Sequence, residues 1–204
     1  MKVVLLLSGG VDSAVLLAHL KASGDEVIAL SVHYGQTHAR ELQAAIDLAK
    51  HYNVDHRIVS LKGVFANSAL TGDVEIPEQH AESPDATVVP GRNIVLISLA
   101  SAIAAAEGAA QVMFGANADD FGGYPDCRHD FVMAMNEAVS RGTGFVAVSA
   151  PFQSMTKRQV VDLGRELGVP FGLTWSCYRG GTTPCGRCGA CISLKEANFD
   201  VLRQ

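Results

Sequence analysis

The chain has 204 residues, of which 48% are hydrophobic, 6% aromatic and 18% charged, and a formal charge of −5. That length supports one domain, or one domain with a small appendage, around a real core, and the composition lacks the signature of disorder. No basic block is present, which argues against a nucleic-acid partner, because phosphate neutralisation needs clustered Lys and Arg.

Apolar β-branched runs alternate with helical periodicity along the chain. "KVVLLLS" reads as a buried strand, followed by a helix through "DSAVLLAHLKASG" that ends at Gly24. "EVIALSVHY" is a second strand, "HARELQAAIDLAKHY" a second helix and "HRIVSL" a third strand. An irregular stretch near 62–90, rich in turn formers, follows, and its length suits a substrate lid. The pattern then resumes with a helix from Asn93 to about Glu107, a strand "AQVMFGAN", a loop "ADDFGGYP" and a helix "CRHDFVMAMNEAVSRG". A last strand "FVAVSAPF" leads to a helix "TKRQVVDLGRELG", whose Thr156 and Gln159 have capping-box spacing.

Strands alternating with helices predict a doubly wound, mostly parallel α/β sheet over residues 1–170, with 171–204 as a small C-terminal segment. Ligands of such sheets bind at the carboxyl ends of the strands. The apolar run after Met1 is too short for a signal peptide and is broken by Gly9, Gly10 and Asp12. The apolar run after Arg92 carries Asn93, Ser98 and Ser101, so no membrane span is expected and the expected location is the cytoplasm.

Between the first strand and helix lies "LLSGGVDS". Gly9 and Gly10 permit a turn whose backbone N–H groups converge, and Ser8, Asp12 and Ser13 sit where a helix dipole favours anions. Neither GxxxxGK[ST] nor GxGxxG is present.

Near the other end, "SCYRGGTTPCGRCGAC" holds Cys177, Cys185, Cys188 and Cys191, the last three at C-x2-C-x2-C spacing. In a reducing compartment such spacing favours metal over disulfides. Four thiolates suit structural zinc, and an iron–sulfur cluster is the competing reading, although the fourth Cys-Pro of the bacterial ferredoxin pattern is missing. Cys127 stands apart, either a small buried residue or a helix-start thiol of lowered pKa.

"SGGVDS" resembles the PP-loop of the N-type ATP pyrophosphatases. The resemblance implies a pyrophosphate site at Leu7, Ser8, Gly9, Gly10, Val11, Asp12 and Ser13, with Asp12 as a ligand of Mg²⁺ or a helix cap. With "HYGQTHARE", "LTGDVEIP", "VPGRN", "GYPDCR", "TWSCY" and the cysteine cluster, the chain as a whole resembles the 7-cyano-7-deazaguanine synthase family.

That likeness implies an ATP-dependent ligase converting 7-carboxy-7-deazaguanine and ammonia to the nitrile through adenylated acid and amide, in a homodimer with one zinc ion per chain. The site it implies has Lys157 on the ATP phosphates, His33 and Tyr34 at the adenosine, Asp126 on the ring N–H and exocyclic amino group, and Arg92 or Arg128 on the substrate carboxylate. For Lys157, a solvated helix start is the alternative reading, and for His33 and Tyr34 packing against the sheet edge. Many relatives have Gln at the position of Val11 and Arg at that of Thr37, which leaves Arg40 as the substitute phosphate contact. Two further readings stay open: an iron–sulfur PP-loop sulfurtransferase acting on RNA, and a PP-loop-derived nucleotide binder without turnover.

Overall fold

The structure, a computed structural model, describes residues 1–35, 40–65, 68–71, 76 and 87–200. Its elements in chain order are β1 (Lys2–Leu6), α1 (Val11–Ala22), β2 (Glu26–His33), α2 (Arg40–His51), β3 (Asp55–Ser60) and α3 (Arg92–Ala106). They continue with β4 (Gln111–Met113), α4 (His129–Thr143), β5 (Ala147–Ser149), α5 (Lys157–Glu166) and α6 (Gly189–Glu196). The five strands form one parallel sheet in the order β3-β2-β1-β4-β5. Successive strands step outward from β1 to β3, and the chain then returns to the far side of β1 with β4. The strand order reverses between β1 and β4, where open α/β sheets place their ligands.

Central strands buried on both faces explain the unbroken apolar runs. Val3, Leu5 and Leu7 of the first strand region face a core shared with α1, α2, α5 and α6. Val4 faces the other way, into a core with Ile28, Leu30 and Val112 and the inner faces of α3 and α4. Its pairing with Ile28 on one side and Val112 on the other fixes the centre of the sheet. Because alternate residues belong to opposite cores, a one-residue slip would exchange the two sets.

Helix α1 is covered almost all round, with Ala14, Val15, Leu16 and Leu17 fully buried. Its close contact with α5 depends on Gly164, where a Cβ would lie 2.6 Å from Val15 Cγ2 and 2.7 Å from Phe171 Cζ. The predicted capping box of α5 is present: Gln159 N–H donates to Thr156 Oγ1 at 3.3 Å, and Thr156 N–H to Gln159 Oε1 at 2.8 Å.

The strand and helix order agrees with the sequence reading, with three differences. The predicted strands "AQVMFGAN" and "FVAVSAPF" pair over only three residues each, and just beyond β4 Gly115 passes against Asp12 and Ser13 at the start of α1. The predicted loop after β4 coils into two short 3-10 turns, Ala118–Gly122 and Pro125–Cys127. The C-terminal segment contains a helix, α6, whose Leu194 joins the α1/α5 core together with Ala197 and Phe199 beyond it. Most of the expected lid near 62–90 lies outside the described residues, although Leu70 and Val89 are buried in the α3/α4 core. Among the described residues, no helix is long and apolar enough to cross a membrane.

Candidate active site

A cavity of about 860 Å³ opens at the carboxyl ends of β1, β2 and β4. Its floor is the turn from β1 into α1. Gly9 has φ +92°, and a Cβ there would run into the Glu41 carbonyl oxygen and lie 2.8 Å from the Ala45 amide nitrogen. Only glycine lets this turn sit against the start of α2. Within the turn, Ser8 Oγ lies 3.1 Å from Ser13 Oγ, and Ser13 Oγ donates to Gly10 O at 3.0 Å.

Leu7, Ser8, Gly10, Asp12 and Ser13 line the cavity, but Gly9 and Val11 do not. The Val11 side chain is buried in the α1/α5 core and its N–H donates to Ser176 Oγ at 3.2 Å, while the Gly9 carbonyl accepts from Trp175 N–H at 2.8 Å.

Lys157, at the first position of α5, pairs with Asp12 across the cavity. Its N–H also donates to Asp119 Oδ2 at 2.8 Å. Burial alone would lower the Lys157 pKa, but Asp12 and Asp120 beside it outweigh that and raise it. Burial pushes the Asp120 carboxyl up to about 6, against the attraction of Lys157 and helped by Asp12. Asn117 organises this group from a fully buried position. Its side chain accepts from Asp119 N–H at 3.0 Å and donates to Asp12 Oδ1 at 3.3 Å, while its own N–H donates to Asp120 Oδ2 at 3.0 Å. The Asn117–Asp120 box was legible as N-x-x-D spacing after a strand; the sequence reading passed over it.

The opposite wall is aromatic and aliphatic, built from Tyr34, Leu70, Leu96, Phe114, Tyr124 and Tyr178. Arg92, at the start of α3, lies 5.9 Å from the Tyr34 ring centroid, a cation–π distance. Its pKa is raised: burial opposes the charge, and Tyr34, Tyr178 and Asp126 favour it by more. Glu41, in the first turn of α2, shares this wall. Burial pushes its carboxyl up to about 7 despite the attraction of Arg92. The sequence reading missed Glu41, because an acid in a first helical turn also reads as a dipole partner.

Three expected site residues lie elsewhere. His33 is paired with Ser60 in the sheet and does not line the cavity. Asp126 Oδ2 accepts from Asn93 N–H at 3.1 Å, which makes it the anionic partner of the α3 N-terminus. Arg128 is exposed and donates through Nε to Phe121 O at 3.0 Å. Neither Asp126 nor Arg128 is on the cavity wall. Cys127 is, but burial, with Asp120 and Asp126 nearby, pushes its thiol up to about 12, which keeps it protonated and favours its reading as a buried residue. Thr37 lies outside the described residues. Arg40, the expected substitute contact, instead stacks 4.3 Å over the Trp175 ring centroid and donates to Thr182 O at 3.3 Å.

The four cysteines of the C-terminal segment converge, with all four sulfurs within 4.8 Å of one another. Cys177, Cys188 and Cys191 are buried and Cys185 is half-buried. Cys185 N–H donates to Cys177 Sγ and Cys188 N–H to Cys185 Sγ, both at 3.3 Å, the polarised surroundings that thiolates need. One small ion fits between them; with Zn–S near 2.3 Å, a tetrahedral site needs sulfurs about 3.8 Å apart. An iron–sulfur cube gives each cysteine its own iron and spreads the sulfurs wider, which disfavours that reading.

Comparison with known proteins agrees with this picture. The family model described as Queuosine biosynthesis protein QueC matches residues 2–201. The 7-cyano-7-deazaguanine synthase of Archaeoglobus fulgidus is 44% identical over 204 aligned residues, covering 97% of this chain and 85% of that protein. That of Thermoplasma acidophilum is 43% identical, covering 94% of this chain and 84% of its own. Among solved structures, an NMN synthetase from Francisella tularensis superposes with TM-score 0.58 at 20% identity, over 98% of this chain and 78% of that one. An NH3-dependent NAD synthetase from Campylobacter jejuni gives 0.53 at 20% identity, over 82% of this chain and 64% of its own. The two solved structures share the fold; the matched family model and the near-full-length identity go further, and place this chain in the 7-cyano-7-deazaguanine synthase family.

Proposed function

We propose that the chain is an ATP-dependent ligase that turns 7-carboxy-7-deazaguanine and ammonia into 7-cyano-7-deazaguanine. The observation that carries this reading is one cavity with an anion-binding turn and half-buried Lys157 on one side, and an aromatic wall with half-buried Arg92 on the other. Such a site can hold a polyphosphate and a flat acidic heterocycle against each other, and no side-chain nucleophile is needed.

The substrate carboxylate attacks the α-phosphorus of ATP and pyrophosphate leaves, giving an acyl adenylate. Ammonia adds to the acyl carbon, a proton is lost and AMP departs, leaving the amide. The amide oxygen then attacks a second ATP in the same way. Loss of both N–H protons and cleavage of the C–O bond release AMP and leave the nitrile. Ser8, Gly10 and Ser13 hold the departing pyrophosphate, and Lys157 offsets the charge that develops on it. Asp12 is the carboxylate suited to hold Mg²⁺, which would neutralise phosphate charge when bound. Cys177, Cys185, Cys188 and Cys191 would hold a structural zinc ion. Resemblance alone supports a cytoplasmic homodimer.

Incubation with 7-carboxy-7-deazaguanine, ATP, Mg²⁺ and ammonia tests the proposal by mass spectrometry. The expected products are amide, then nitrile, with two AMP and two pyrophosphate per nitrile; the absence of both amide and nitrile overturns it.

A further inference from the structure

Five carboxylates line the cavity: Asp12, Glu41, Asp119, Asp120 and Glu196. Asp12, Asp119 and Asp120 are gathered around Lys157 and Asn117 on the phosphate side. Glu196 is exposed near the end of α6. Glu41 alone belongs to the aromatic wall, and its carboxylate receives no hydrogen bond among the described residues. The charge of Arg92 acts on it from the start of α3. A half-buried carboxylate on the cavity wall with no donor from the described residues is suited to a ligand that brings donors.

We propose that Glu41 reads the donor edge of the substrate ring. This rests on the functional reading above. Along one edge of 7-carboxy-7-deazaguanine stand the exocyclic amino group, the ring N–H, the ring carbonyl and the carboxylate, two donors followed by two acceptors. Glu41 accepts from the amino group and the ring N–H, as a carboxylate with two oxygens accepts a paired donor. Arg92 donates to the neighbouring carbonyl and carboxylate. The acid and base that share this wall thus match the donor–donor–acceptor–acceptor order of the edge, and the aromatic wall covers a face of the ring. Asp126 accepts from Asn93 N–H through Oδ2 and does not line the cavity. Glu41 thereby determines specificity for a guanine-type ring over one lacking the amino group.

The test compares wild type with Glu41→Gln, which keeps the shape and presents an amide donor where an acceptor is needed. Steady-state kinetics are measured with 7-carboxy-7-deazaguanine and with the analogue that lacks the 2-amino group. Wild type is expected to prefer the full substrate by about 100-fold or more in kcat/KM. For E41Q, KM for the full substrate should rise about 10- to 100-fold, KM for ATP should stay within about threefold, and the preference should shrink to about tenfold or less. Glu41→Asp, which keeps the charge, should retain the preference with a raised KM. Unchanged KM and preference in E41Q, with wild-type metal content and melting temperature, overturn the assignment. If wild type makes no product, the functional reading fails instead. Equilibrium binding of 7-deazaguanine and 7-deazahypoxanthine to wild type and E41Q then decides Glu41: loss of the wild-type preference in the variant supports it, and equal ratios overturn it.

Discussion

Trp175 N–H donates to Gly9 O at 2.8 Å, joining the cysteine-bearing segment to the phosphate-binding turn. The next residue repeats the link, since Ser176 Oγ accepts from Val11 N–H, and the residue after that is Cys177. Trp175 is only 2% exposed, and its ring Nε1–H donates to Cys177 O at 2.9 Å. The proposed zinc site is therefore two residues from the backbone that shapes the phosphate site.

Stripping the metal should thus weaken ATP binding as well as lower stability. Four buried or half-buried sulfurs without an ion lose the convergence that holds Trp175 and Ser176 in place. Chelator-treated protein is expected to bind ATP at least about tenfold more weakly by calorimetry and to melt lower, with both restored by Zn²⁺. Unchanged ATP affinity in metal-free, folded protein would separate the two sites.

Gly9→Ala tests the turn itself. The added methyl group meets the Glu41 carbonyl and the Ala45 amide, both backbone atoms, at a φ that L side chains rarely adopt. Strain of this kind costs about 1–3 kcal/mol from the backbone alone, and the steric contact adds to it. Urea denaturation should show a loss of about 2–4 kcal/mol, with ATP turnover lost even where the protein remains folded.

Arg92 and Arg128 separate under the same assay. Arg92 is on the cavity wall beside Tyr34, whereas Arg128 is exposed and bonded to Phe121 O. Arg92→Ala should raise KM for the acid substrate about 30-fold or more, in line with loss of a charge-assisted hydrogen bond. Arg128→Ala should change it by less than about threefold. The opposite ranking would move the carboxylate site to the outer rim.

These two arginines also show what the sequence carried. Strand and helix order was legible because β1, β2 and β4 are buried on both faces and their apolar runs are unmistakable. The phosphate turn and the cysteine cluster were legible because each lies within one short segment. Proximity in sequence misled at "GYPDCR", where Asp126 turned to cap α3 and Arg128 turned outward. Glu41 was illegible for the converse reason: Arg92, whose charge acts on it, is some fifty residues away, and only the return of the chain to the far side of β1 brings the start of α3 to the same cavity as the start of α2. Helix α6 was missed because its opening, Gly-Ala-Cys, reads as a metal knuckle rather than a helix start.

Lys157 holds together a cluster of like charges, and its removal should be costly in two ways. It faces Asp12, while Asp119 and Asp120 stand close by. Lys157→Met should lower kcat/KM for ATP about 100- to 1,000-fold, the size expected for losing one preorganised charge at a developing anion. It should also destabilise the empty enzyme by leaving Asp12 unpaired. Normal turnover in this variant would remove Lys157 from the site.

Asp120 gives a pH-dependent test of the same cluster. Its carboxyl is raised from an ordinary value of 3.8 to about 6, chiefly by burial and then by Asp12, with Lys157 opposing. The folded state therefore holds this proton more tightly than the unfolded state, and the resulting penalty grows as pH rises from 3.8 through about 6. Above that it is constant. Asp120→Asn removes the charge and keeps an oxygen to accept from Asn117 N–H. One pKa unit corresponds to about 1.4 kcal/mol, and partial exposure with a nearby cation reduces the realised effect to about 1 kcal/mol. Metal-loaded D120N should be more stable than wild type by about that amount at pH 8, by about half as much near pH 5, and by nothing below pH 4. The same variant should bind Mg²⁺–ATP no better than wild type, because the repulsion it relieves is one that bound cations also relieve. A stability gain that is flat across this range would mean that the Asp120 charge is already fully compensated by Lys157 in the empty site.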